Sequence, residues 1–355
     1  MIKVCTETFD QSQPSSIDTY LKLGGYSAWK KIINEKIPKS EIIKTIKDAE
    51  LKGKGGAGFL TGLKWSFIVP ASTQKYLVCN SDESEPGTCK DRDLLRYNPH
   101  SIIEGMLITC YAIGASIGYN YLRGEFIGDQ WKVINLAIKD AYNAGLVGKN
   151  ILSSGISIDL IPLIGAGAYI VGEETAMLES IEGKRGMPRI KPPFPAVEGL
   201  YGKPTIINNT ETLATVPYII KNGAEWYKNL GSGDSSGVKM FCMSGHLNKP
   251  KVIEAPLGTP FSKLLDECDG VLNDHKLKAV IPGGSSVPVV KGEDILDTPM
   301  DYEPLQKIGT MLGSGGIIVM DETTCMVSVL ERISRFYYAE SCGQCTPCRE
   351  GTGWL

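Results

Sequence analysis

The sequence predicts an α/β protein in three parts: a layer domain, a small α+β domain and the start of a helical domain. Three observations predict it. Helical and strand-like apolar patterns alternate from about residue 40 to residue 171, as in helices packed on a sheet. Short strand patterns between Gly and Pro turns then fill residues 239–320. Last, a helical pattern of Met326, Val329, Leu330, Ile333, Phe336 and Tyr337 runs directly into ESCGQCTPCREG at residues 340–351.

Taken in order, residues 1–39 are polar and mixed and read as an extended or weakly helical arm. Ser40 is placed to cap a helix through Leu51, with Ile42, Ile43 and Ile46 on its apolar face. A glycine-rich loop covers residues 53–62, and residues 76–79 form a short buried strand ending in an acidic turn. Residues 102–122 make the longest apolar run, but Glu104, Asn120 and three glycines interrupt it; a buried helix followed by a strand explains it better than a membrane span. A Pro-rich basic stretch wraps over residues 184–204, and a helix begins near Asn209. GSGDSSG at 231–237 reads as a linker. The expected domains are therefore an arm at 1–39, a layer domain at 40–232, a small domain at 238–321 and an incomplete helical domain at 322–355.

Composition narrows the function classes. A formal charge of -3 gives no reason to expect nucleic acid or an anionic membrane as a direct partner. Ten cysteines are too dilute for a disulfide scaffold. Seven are scattered (Cys5, Cys79, Cys89, Cys110, Cys242, Cys268 and Cys325) and are expected to pack as small apolar residues in a reducing compartment. The first ten residues lack the apolar core of a signal peptide and the arginine-rich pattern of a transit peptide, so a cytoplasmic location is expected.

Cys342, Cys345 and Cys348 stand at i, i+3 and i+6, which presents three thiolates from one turn, as a cubane cluster needs. A structural zinc site usually shows two separated pairs. In KGKGGAGFLTGLKW (52–65), Gly53, Gly55 and Gly58 fit G-x-G-x-x-G, but a helix pattern precedes the loop where the dinucleotide fingerprint wants a strand. Dense glycine still lets backbone N–H groups approach a phosphate, with Lys54 and Lys64 supplying charge; the plain alternative is a surface turn. Asn80, Asp82, Glu83 and Glu85 follow a strand's carboxyl end, where α/β folds place ligands, and suit ribose or ribityl hydroxyls or a flavin edge; a solvated acidic turn is the alternative. GAGAYIVGEE (165–174) is a second glycine turn whose Glu173 and Glu174 open a helix, where glutamates also serve simply as dipole partners. Lys184, Arg185, Arg189, Lys191 and Phe194 form a stiff basic segment that either contacts phosphate and stacks on a ring or covers the core. Asn208, Asn209 and Thr210 read first as a helix N-cap, an end that also receives phosphate. His100, His246 and His275 are separate and lack ligand spacing, and no nucleophile–base arrangement can be argued.

Together with CNSDESEPGTCKDRDLL (79–95) and the long stretch 165–217, these segments resemble the FMN- and NADH-binding flavoprotein of respiratory complex I, the F-type or 51 kDa subunit family of NADH-quinone oxidoreductases. The resemblance spans residues 53–351. It implies a Rossmann-like FMN- and NADH-binding layer domain, a β-grasp-like domain, then a helical domain with a [4Fe–4S] cluster. By position it implies that Gly53, Gly55, Gly56, Gly58, Gly62 and Lys64 line the flavin and nucleotide cleft. Asn80, Asp82, Asn208, Asn209 and Thr210 would hold the FMN, and Phe59, Phe67 and Phe194 would frame the adenine of NADH. Gly172 lies in the same turn as Glu173 and Glu174; these two with Glu83, Glu85 and Lys191 would meet ribose or nicotinamide, and Glu83 or Glu85 would also lower the flavin potential. Cys342, Cys345 and Cys348 would hold the cluster. The implied activity is hydride transfer from NADH to FMN, with no side-chain acid or base, then single electrons to the cluster and towards quinone.

The implied partners are the E-type [2Fe–2S] subunit of the 24 kDa class and the G-type iron–sulfur subunit, with the membrane reached only through the complex. A diaphorase subunit of an NAD-linked hydrogenase or formate dehydrogenase shares these motifs, and a non-catalytic iron–sulfur or zinc scaffold is the reading outside enzymes. The family supplies its fourth cluster cysteine some tens of residues beyond a position like Leu355, so the expectation is a chain cut short; Cys325, the nearest upstream cysteine, lies a full helix away and is not the expected ligand.

Overall fold

The computed structural model describes residues 3–70, 73–232 and 234–355; the first two residues of the expected arm and Gly233 of the expected linker lie outside them. Four helices come first: α1 (Ile17–Lys22), α2 (Ser27–Asn34), α3 (Lys39–Asp48) and α4 (Thr61–Ser66). A parallel sheet follows, built from β1 (Tyr76–Ser81), β2 (Ile117–Leu122), β3 (Asp159–Ile164) and β4 (Thr205–Asn209) in the order β3-β2-β1-β4. β1 pairs on both sides, Tyr76 with Ile117 and with Thr205. The connections are α5 (Lys90–Tyr97) and α6 (Pro99–Ile113), α7 (Asp129–Asn143) and α8 (Glu174–Ile181), after which α9 (Thr210–Asn222) and α10 (Ala224–Lys228) close the unit.

Alternation along the strands decides what covers each face. Leu77, Cys79 and Ile206 join the main core with α6 and α9, while Val78, Ile207 and Tyr121 face Met177 and Leu178 of α8. The sheet is thus buried on both faces, as parallel sheets are. The run at 102–122 is the expected helix and strand: Pro99 opens α6 and Gly114, at φ 76°, ends it. Gly105 is required where α6 crosses α9, since a Cβ there would stand 1.9 Å from the Leu213 carbonyl oxygen. The α/β class read from the sequence is the class observed.

The second sheet is mixed. It contains β5 (Val238–Gly245), β6 (Lys251–Pro256), β7 (Leu277–Ile281), β8 (Val290–Lys291) and β9 (Gly316–Asp321) in the order β6-β5-β9-β7-β8. β5 and β9 run parallel and the other pairs antiparallel. α11 (Phe261–Glu267), α12 (Gly292–Ile295) and α13 (Tyr302–Lys307) accompany it, with Phe241, Phe261, Leu264, Ile317 and Val319 in its core. α14 (Met326–Glu340) and α15 (Thr346–Trp354) end the chain; Met326, Val329 and Ile333 of α14 rest on Ala279, Ile281 and Met320.

Three expectations change. Residues 3–39 are packed against the core and carry α1 and α2, rather than forming the extended or weakly helical arm expected. Tyr20, Tyr26, Trp29 and Ile32 are fully or almost fully buried in the main core. The cause is a buried carboxylate: Glu104 accepts from the Tyr20 hydroxyl at 2.6 Å, the Tyr26 amide at 2.8 Å and the Trp29 amide at 3.0 Å. Glu254 of β6 does the same for the amides of Val4, Cys5 and Thr6. Second, the described residues of the expected linker at 231–237 are packed, with the Ser235 amide donating to Asp301 and the Ser232 amide to the Leu257 carbonyl. The α3 start also shifts: Pro38, not Ser40, stands at its N-cap, and no side chain caps it. Among the described residues no helix is long and apolar enough to cross a membrane.

Candidate functional site

The strand order turns round at β1, so the connections leaving β1 and β4 part and open a crevice at their carboxyl ends. The sequence places Asn80 and Asp82 at one of those ends and Asn208, Asn209 and Thr210 at the other, and β1–β4 pairing sets Asn80 opposite Asn209. Asn209 caps α9, accepting the Glu211 amide at 3.0 Å, and its amide nitrogen donates to Asp91 at 2.7 Å. Asn208 accepts from the Trp65 indole at 2.8 Å. Thr210 donates to the Asn80 carbonyl at 3.0 Å, which locks the two strand ends together.

The glycine-rich loop lies against this edge. A Cβ on Gly55 would meet Asn209 Cβ at 3.2 Å, and one on Gly58, at φ 67°, would run into the Tyr302 ring. Gly53 closes the loop by donating to the Phe59 carbonyl at 2.8 Å, Gly56 sits at φ 139°, and Gly62 presses on Lys47. The second glycine turn comes from the other side: Asn80 donates to the Gly172 carbonyl at 2.9 Å, and Gly172 stands directly over Asp82.

Beneath the crevice runs a buried ionic network. Glu211 has Lys90 at 3.0 Å, Lys54 at 3.5 Å and Lys239 at 3.7 Å, and Lys90 also meets Asp91 at 2.8 Å. Burial works against the Glu211 charge, but the three ammoniums outweigh it and hold the carboxyl down at about 2. Burial, with repulsion from Lys90 and Lys54, brings Lys239 down to about 8 in spite of Glu211. Lys54 therefore is not a free loop charge: it is buried and committed to this network. Sequence reasoning missed the network because its members stand far apart in the chain; the only signal was the charge density of KDRD at 90–93.

The acidic turn divides its labour. Asp82 is pushed up to about 7 by burial. Glu83 is turned inward, its two oxygens accepting the Asp91 and Arg92 amides at 2.8 and 2.9 Å, so it caps α5 rather than facing the crevice. Burial raises it to about 8. Glu85 accepts the Tyr169 hydroxyl at 2.6 Å and the Ser286 amide at 2.7 Å, tying the turn to the second sheet. Glu173 caps α8 through the Thr175 and Ala176 amides. Glu173 and Glu174 share Lys191 at 3.1 and 3.6 Å, and Lys64 meets Glu174 at 2.8 Å. Arg189 and Lys184 pair with Glu179 of α8 and with its C-cap Glu182. Phe59 and Phe67 pack at 6.2 Å between centroids and stay half-exposed; Phe194 is exposed on the Pro-rich segment.

The fit to FMN rests on this cleft: a loop that only glycine keeps against a helix N-terminus, with amide and carboxyl groups at the strand ends. The cysteine loop adjoins it. Tyr169 donates its amide to Glu340 at 3.0 Å and packs its ring on Phe336 and Tyr337, while Arg185 donates to the Cys342 carbonyl at 3.3 Å. Cys345 stands at the N-cap position of α15 without a side-chain cap, and Cys348 lies in the first turn, 3.2 Å from the Ser341 hydroxyl. Three thiols in seven residues are the donor chemistry of an iron–sulfur site, although among the described residues no three His, Cys, Asp or Glu side chains converge on a metal position. Thiolates repel one another until a metal offsets their charge, so such ligands close on loading. Of the scattered cysteines, Cys89 is half-buried and Cys325 exposed, against the expectation that they are core residues. The histidines are less separate than the sequence implied: His246 and His275 both meet Asp321, at 2.9 and 2.8 Å.

Residues 46–218 match the Nuo51 FMN-binding domain, and residues 328–355 the NADH-ubiquinone oxidoreductase-F iron-sulfur binding region. The chain is 50% identical over 347 residues to the F-type NADH-quinone oxidoreductase subunit of Rickettsia bellii, covering 97% of this chain and 82% of that one. It is 49% identical over 340 residues to the F-type subunit numbered 2 of Rhizobium meliloti NADH-quinone oxidoreductase, covering 95% and 80%. Among solved structures, an NAD+-reducing [NiFe]-hydrogenase in the H2-reduced state superposes with a TM-score of 0.84 at 34% identity, over 99% of this chain and 57% of that one.

Proposed function

The chain belongs to the F-type subunit family of NADH-quinone oxidoreductases, and on that premise we propose how its residues serve NADH oxidation. The supporting observation is the turn at 165–174, which touches both halves of the site: Gly172 is held by Asn80, and Tyr169 by Glu340 beside the cysteine loop. FMN, when bound, would take a hydride from NADH and release electrons one at a time, and an iron–sulfur cluster accepts single electrons.

Everything else is positioning. Asn80, Asp82 and Gly172 would hold the flavin ring and ribityl chain, and Asn208, Asn209 and Thr210 its phosphate at the start of α9. Glycines 53, 55, 56, 58 and 62 would admit both ligands closely. Phe59, Phe67 and Phe194 supply exposed rings for adenine, and Lys64, Glu85, Glu173, Glu174 and Lys191 line the approach. Glu83 would act indirectly, by fixing the turn. Cys342, Cys345 and Cys348 would ligate the cluster. The finer partners we propose within a larger complex are the E-type [2Fe–2S] subunit of the 24 kDa class and the G-type iron–sulfur subunit. The hydrogenase diaphorase reading has the structural neighbour in its favour, but at 34% identity against 50% for the F-type relative.

The test is FMN, iron and sulfide content of the purified chain together with NADH–ferricyanide reductase activity. The reading expects about one flavin per chain and turnover. A folded chain that binds neither FMN nor NADH would overturn it.

A further inference from the structure

The seam between the two sheets holds a thiol pair that the electron-transfer reading does not use. The chain leaving the acidic turn, residues 87–89, presses on the second sheet: a Cβ on Gly316 would stand 2.5 Å from the Thr88 hydroxyl, and Thr88 hydrogen-bonds Ser314. The next residue, Cys89, is the N-cap position of α5 and donates its amide to Cys242 Sγ of β5 at 3.2 Å. Cys242 is 1% exposed, whereas Cys89 is half-buried and reachable from solvent. One sulfur already rests on the other residue's backbone nitrogen and α5 packs on β5, so the two cysteines are direct neighbours, the arrangement a disulfide starts from.

We propose that Cys89 and Cys242 form a reversible disulfide when a peroxide oxidises Cys89, fastening the acidic turn to the second sheet. The asymmetry of the pair sets the order of events. A hydrogen bond from Cys242, helped by Arg92 and Lys90, lowers the Cys89 thiol, while that same contact and burial raise Cys242. Cys89 is therefore the attacking thiolate and Cys242 the resolving thiol. The Cys89 sulfur displaces hydroxide from the peroxide O–O bond to give a sulfenic acid, and that hydroxide takes up a proton. Cys242 sulfur then displaces the sulfenic hydroxyl, which leaves as water with the Cys242 proton. Two thiols and one hydrogen peroxide give one disulfide and two waters. The linked residues adjoin Glu83, whose oxygens cap the same helix, so the bond would fix the turn that carries Asp82 and Glu85.

Peptide mapping of the intact chain under non-reducing conditions, after graded hydrogen peroxide, tests this without using nucleotide, so its failure is distinct from failure of the NADH reading. The linked Cys89–Cys242 peptide pair is expected to become the main Cys89 species and to vanish on dithiothreitol. In Cys242→Ser, Cys89 is expected to stop at sulfenic acid or go on to sulfinic acid. The idea is overturned if the unaltered chain gives Cys89 sulfinic acid without the pair, links Cys89 to another cysteine, or leaves Cys89 unmodified while the cluster-loop thiols oxidise.

Discussion

The crevice between β1 and β4 and the cysteine loop are neighbours of opposite construction. In the crevice almost every polar group is answered before any ligand arrives: Asn80 holds Gly172, Asn209 holds α9 and Asp91, and three buried lysines surround Glu211. In the cysteine loop α14 and α15 bury no residue completely, and the described thiol contacts reduce to Cys348 with Ser341. The difference teaches where organisation comes from. The first site is shaped by the fold and would bind a ligand with little rearrangement; the second draws its order from what it ligates or packs against.

Removing Glu211 should break the comparison most severely. Glu211→Ala leaves Lys54, Lys90 and Lys239 buried without their shared anion, at an expected cost of about 3–5 kcal/mol by urea denaturation. A loss below about 1 kcal/mol would mean that the network is not what holds the crevice. Asn80→Ala removes the donor to Gly172 and should cost about 1–3 kcal/mol, with weaker FMN retention on gel filtration. Asp82 gives a smaller, pH-dependent effect. Its folded value of about 7 lies above the 3.8 of an ordinary aspartate, so the folded state keeps a proton that the unfolded chain has lost. Stability of the flavin-free chain should therefore fall as pH rises from about 4 to 7, and Asp82→Asn should flatten that slope. Cys345→Ala should matter least to stability, within about 0.5 kcal/mol, because the side chain is exposed. Bound iron should nevertheless fall to background while flavin is retained; unchanged iron would exclude Cys345 as a ligand.

What could be read from the sequence was whatever a short stretch carries by itself. The thiol spacing at 342–348, the glycine density at 53–62 and the strand running into Asn80 are local, and so is the Asn209 cap. What could not be read depended on a distant partner. Lys54 looked like a phosphate-facing charge because Glu211 lies 157 positions away, and the arm looked extended or weakly helical because Glu104, which collects the Tyr20, Tyr26 and Trp29 donors, lies beyond it. Glu83 read as a ligand group because nothing in its own stretch announces that it caps α5. His246 and His275 were separated by sequence yet share Asp321.

The carboxylate of Glu254 carries a consequence for the order in which the molecule is made. The amides of Val4, Cys5 and Thr6 find their acceptor 250, 249 and 248 positions later. At about 5–20 residues per second of synthesis, that stretch waits roughly ten to fifty seconds after leaving the ribosome before Glu254 exists to receive it. The beginning of the chain is thus among the last parts to settle, a latch closed only when the second sheet is under way.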